Sequence, residues 1–108
     1  MTFNKLVRDK IPDLIRQRGS QPITQILAPY TYKKELQRKL GEEVAEFCES
    51  GQMEELADIL EVIFALAAVE GVSHFKLEDI RQRKLAERGG FTRRILLIEV
   101  KEEIRMRL

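Results

Sequence analysis

Cysteine is nearly absent: Cys48 is the only one in 108 residues, so no disulfide can form within the chain. That usage fits a reducing, cytoplasmic setting. Long apolar runs are missing too. The longest, from Val62 to Val69, is eight residues, against the roughly 20 that a membrane-crossing helix needs. The opening residues MTFNKLVRDKIP lack the apolar centre of a signal peptide. No membrane association is expected. Tryptophan is absent, aromatics make up 6%, and the formal net charge is only +1. The few aromatics do not interleave with the basic residues, which argues against a nucleic-acid partner. Histidine occurs once, as His74, and is expected in a loop.

The sharpest absence is local. From Gly41 to Glu70 there is no lysine or arginine, while nine Asp and Glu are present. Met1 to Leu40 carries nine basic residues against three acidic ones, and Gly71 to Leu108 carries ten against six. A solvated helix usually mixes both signs at i,i+4 spacing. A block of like charge between two basic flanks calls for a specific counterion.

The chain has enough apolar residues, 44%, to bury a modest core as one domain spanning residues 1–108. Pro12 marks the first turn of a short helix ending near Gly19. In the connection that follows, Ile23, Gln25 and Leu27 alternate as a short β element would. Pro29 opens a second helix running to about Glu49, with Leu36, Leu40, Val44 and Phe47 on one stripe. Ser50 and Gly51 end it. A third helix runs from about Gln52 to Glu70, and its later half is apolar nearly all round, so it is expected at the centre. The very short link predicts an antiparallel hairpin. A fourth helix is expected over Leu77–Glu87, before Gly89 and Gly90. Residues 94–100 form a β-branched run that periodicity assigns to neither strand nor helix. Phe91 is expected to plug the core. The fold class is therefore all-α, a helical bundle around the hairpin, with room for one short β element.

The acids fall into a pattern. At about 100° per residue, Glu43 and Glu46 lie roughly 60° apart, and Glu43 lies only about 20° from Leu36 on the apolar stripe. Glu55 and Asp58 repeat the spacing on the third helix. In an antiparallel hairpin, Glu46 before the turn and Glu55 after it stand near the same height. Four carboxylates then converge, and their repulsion requires protons or cations. Clustered carboxylate oxygens suit a hard divalent ion, Mg²⁺ or Mn²⁺. A di-iron bundle needs Glu-x-x-His on two helices, and His74 follows no glutamate at that spacing. Taken alone, one Glu-x-x-Glu reads first as solvated surface on a good helix former; the doubled motif, the position of Glu43 and the lack of a local cation favour a site.

Four blocks in order, KLVRDKIPDLI at 5–15, KLGEEVAEF at 39–47, EELADILEVIFAL at 54–66 and KLAERGGF at 84–91, resemble the MazG-like all-α nucleotide pyrophosphohydrolases. The likeness is strongest to their small phosphoribosyl-ATP pyrophosphohydrolase-like members. The resemblance implies Mg²⁺ held by Glu43, Glu46, Glu55 and Asp58. It also implies cleavage of the α–β phosphate bond of a nucleoside triphosphate or related nucleotide to monophosphate and pyrophosphate. Some members act as house-cleaning enzymes, and the fold is commonly dimeric or larger. A homodimer or higher homo-oligomer is also what so apolar a third helix suggests.

Within that expectation, Glu42 is the first candidate to orient and deprotonate water, with Glu46 close behind, because neither is forced into the apolar stripe. Phosphate needs cations, and Arg8, Lys10, Lys39, Lys84 and Arg88 are the candidates. Singly, each basic residue reads equally as solvated surface. The competing reading of the whole chain is a non-catalytic helical oligomerisation or interaction module.

Overall fold

The computed structural model describes residues 1–102 and 105–108. Among them there are four helices, α1 (Ile11–Gln17), α2 (Pro29–Ser50), α3 (Met53–Val69) and α4 (His74–Arg88), and no strand. The all-α class stands. The short β element at Ile23 to Leu27 does not form: Ile23 and Ile26 are almost fully exposed, and an alternating segment with no strand beside it leaves its backbone to water. Residues 94–100 lie in neither helix nor strand. Among the described residues no helix is long and apolar enough to cross a membrane.

The chain divides into two compact units, Met1–Leu77 and Glu78–Leu108. The first is organised by the α2–α3 hairpin. Proline occupies the first turn of α2, where its missing N–H costs nothing. At the other end Gly51 adopts φ 68°, and its N–H donates to the Phe47 carbonyl at 2.8 Å. This left-handed cap is strained for residues bearing a Cβ. Only Gly51 and Gln52 separate the helices, and the Ser50 hydroxyl accepts from the Gln52 N–H at 3.2 Å. The open end of the hairpin is tied by an ion pair between Lys33, early in α2, and Glu70, just past α3. Such an end-to-end pair requires antiparallel helices.

Leu36 and Val62, one from each helix, are the buried apolar side chains among the described residues. They mark the inner seam. The opposite stripe of α3, with Met53, Leu56 and Leu60, stays exposed. Farther along α3, Phe64 stacks on His74, ring centroids 4.0 Å apart. His74 is thus the first residue of α4 and not a loop residue. The extra turn ahead of Leu77 is anchored by Ser73, whose hydroxyl accepts from the Lys76 N–H at 3.2 Å.

The second unit holds most of α4 and the segment after it. Phe91 is 97% exposed, which corrects the expected core role. The Gly89–Gly90 break turns the chain off the helix before Phe91 reaches an apolar surface, with Gly89 at φ 79°.

Candidate metal centre

Glu43 is held where its neighbours on the helix dictate. It shares the buried stripe of α2 with Leu36 and is 6% exposed. Facing it from α3 are Glu55 and Asp58, on the same side as Val62. One carboxylate oxygen from each of Glu43, Glu55 and Asp58 lies within 4.8 Å of the others. Glu46, on α2 one turn after Glu43, is exposed and outside the trio, and its carboxyl group is near enough to raise that of Glu55. Three of the four acids singled out from the sequence, Glu43, Glu55 and Asp58, therefore converge across the hairpin. Glu54 and Glu61, also on α3, remain exposed and outside the trio.

The cluster is electrostatically unhappy in two ways. Glu55 has its carboxyl raised above the ordinary value of 4.5, first by desolvation and then by the charges of Glu46, Glu43 and Asp58. Glu43 has one oxygen, Oε2, that is buried without a hydrogen-bond partner among the described residues. An unsatisfied buried carboxylate oxygen costs on the order of 1–3 kcal/mol or more. A native fold that keeps such an atom usually has a partner in view for it.

The neutralising cations come from outside the acidic block. Lys39 Nζ lies 3.4 Å from Glu43 Oε1, one turn earlier on α2. Arg8, fifty positions away in sequence, places Nη2 2.6 Å from Asp58 Oδ1. The carboxylates are thus partly compensated, which the charge census of residues 41–70 alone does not reveal. The i,i+4 spacing of Lys39 and Glu43 is legible in the sequence; the Arg8–Asp58 pair has no local signal.

The remaining candidates belong to α2, to the start of α1 and to α4. Glu42 is 3.8 Å from Arg38 Nη1, on an adjacent side of α2 from Glu43. Arg38 is drawn chiefly to Glu35, with Nη2 at 2.7 Å, and it also donates to the Asn4 carbonyl at 3.1 Å. Lys10 is the N-cap of α1 and is exposed. Lys84 and Arg88 belong to the second unit. There Arg88 donates to the Arg107 carbonyl at 2.5 Å, and Lys84 is exposed on α4.

The donor set fits a hard divalent cation: three convergent carboxylates, a fourth beside them, and a buried oxygen lacking a partner. No histidine or cysteine joins the trio, so a softer transition metal has less to hold it.

A 42-residue stretch is 50% identical to part of an uncharacterized protein of Mycolicibacterium smegmatis. It covers 39% of this chain and 43% of that protein, less than half of either. No family model matches the chain, and no solved structure is significantly similar to it.

Proposed function

We propose that the protein is a divalent-cation-dependent nucleotide pyrophosphohydrolase of the MazG-like kind that its sequence blocks resemble. In this reading it cleaves an α–β phosphate bond to release a monophosphate and pyrophosphate. The observation that carries the proposal is Glu43, which converges with Glu55 and Asp58 and whose buried Oε2 has no hydrogen-bond partner among the described residues. Surface glutamates on good helix formers do not bury an unsatisfied charge.

Glu43, Glu55 and Asp58 would hold the cation, with Glu46 at its edge. When bound, Mg²⁺ or Mn²⁺ supplies positive charge to the phosphate oxygens of the substrate. Glu46 orients the attacking water and takes its proton. Its charge already acts on the neighbouring Glu55, whereas Glu42 is turned to Arg38. Lys39 keeps its contact with Glu43 and fixes that carboxylate's rotamer. The substrate is a nucleotide, with removal of abnormal nucleotides as the role suggested by the resemblance. The cytoplasm is the compartment, in keeping with a lone exposed thiol at Cys48.

A second copy of the chain is the expected partner. The outer stripe of α3, Met53, Leu56 and Leu60, faces away from α2 and is exposed, and such a stripe is normally covered. The same stripe favours the competing reading of a non-catalytic interaction module.

A nucleotide panel scored for pyrophosphate and orthophosphate, with and without Mg²⁺ or Mn²⁺, tests the activity. Pyrophosphate release that depends on the cation is expected. Orthophosphate alone would contradict α–β cleavage. No turnover, together with no thermal stabilisation by millimolar Mn²⁺, would favour the interaction module.

A further inference from the structure

We propose that Arg8 is an exchangeable counterion: it occupies Asp58 when the site has no divalent cation, is displaced when one binds, and then grips the substrate's phosphate. This rests on the cation-site reading above and adds to it an order of events and a second use for one residue.

Three carboxylates face two cations built into the chain, Arg8 and Lys39. A divalent ion drawn in among Glu43, Glu55 and Asp58 competes with Arg8 and Lys39 for the same carboxylates. The two are not equivalent. Lys39 is only 26% exposed and sits on the same helix as Glu43, at i,i+4. Arg8 is 56% exposed and lies ahead of α1. It is the cation with room to leave.

It is also held from going far. Upstream, Arg38 donates to the Asn4 carbonyl at 3.1 Å. Downstream, the Ile11 N–H donates to the carbonyl of Arg8 itself at 3.0 Å, closing the turn into α1. The backbone of Arg8 is thus pinned on both sides while its side chain is free to swing. A guanidinium released from Asp58 stays within a side chain's length of the carboxylates. There its planar fork suits a bidentate grip on phosphate oxygens. An incoming nucleotide returns to Arg8 the negative partner that the cation took away. Cation first, nucleotide second is the order that this exchange predicts.

The two uses predict opposite effects from one substitution. In Arg8→Ala, Mn²⁺ alone, followed by electron paramagnetic resonance, should bind about threefold tighter, the scale of losing one exposed competing ion pair. Binding of pyrophosphate to the Mn²⁺-saturated protein should weaken about tenfold or more. Arg8→Lys should restore the competition with Mn²⁺ but only part of the pyrophosphate affinity. A merely structural role for Arg8 would weaken both ligands or neither, and either result overturns the proposal. In the wild-type protein, the Arg8 side-chain Nε–H resonance should shift on titration with Mg²⁺ before any nucleotide is added. If the amides of Glu43 and Asp58 respond to Mg²⁺ while Arg8 does not, the exchange is wrong and the cation site survives. If none responds, both fall.

Discussion

Glu55 of α3 stands against Glu46 of α2, acid facing acid across the hairpin, and its carboxyl is raised above 4.5 by burial first and by Glu46 second. A group that holds its proton more tightly when folded stabilises the fold below its unfolded value and loses that contribution as pH rises through the folded one. The chelator-treated protein should therefore lose stability as pH climbs from about 4.5. In Glu55→Gln that part of the slope should vanish. Urea melts in EDTA across this range would show it, and parallel curves for the two proteins would count against the close contact. Mn²⁺ binding should strengthen over the same interval, because proton and cation compete for one group.

Glu78 titrates with the opposite sign. Hydrogen bonds from Arg81 and then Gln82 lower its carboxyl to about 2. Its stabilising effect is present above 4.5 and disappears as pH falls toward 2. Carboxyl carbon resonances should show Glu78 titrating near 2. Arg81→Ala should bring it back toward the ordinary range; an unchanged midpoint would mean the pair does not persist in water.

Replacing Glu43 separates folding from cation binding. Glu43→Leu removes a buried charge with an unpaired oxygen, and Lys39 can extend into solvent. The metal-free protein should become more stable by about 1–3 kcal/mol. The stabilisation that Mn²⁺ gives the wild type should be lost. A less stable metal-free variant would show that the carboxylate serves the fold itself.

Leu60 tests the outer stripe of α3. It is about half exposed and lies nearly opposite Val62 on the helix. Leu60→Glu should leave helix content unchanged and shift sedimentation to the monomer. A wild type that is already monomeric at micromolar concentration would remove the second copy from consideration.

Much of this was readable before any coordinates. Prolines at helix starts, Gly51 at the turn and the stripe through Leu36 and Glu43 are local signals, and each fixes a local outcome. Glu43, Glu55 and Asp58 meet because helical spacing and a short turn are both written in the chain. What escaped was long-range or depended on context. Nothing near Arg8 announces that it will reach Asp58. Ile23–Leu27 alternates correctly, but a strand exists only beside another strand. Phe91 is apolar enough for a core, yet a core position requires a surface to face, and the paired glycines before it turn the chain elsewhere. His74 looked like a loop residue because it precedes the periodic part of α4; its stack on Phe64 lies across the intervening turn, where periodicity is silent.

The two-residue turn makes the carboxylate cluster a matter of counting. Adding or removing one residue at Gly51–Gln52 would swing every side chain of α3 by about 100° around its axis. Glu55 and Asp58 would leave Glu43 while Met53 or Leu56 moved toward the seam. Sequence drift by substitution is therefore far better tolerated here than drift by length. Relatives that place the same acids at another separation must reach the same chemistry through a differently built bend.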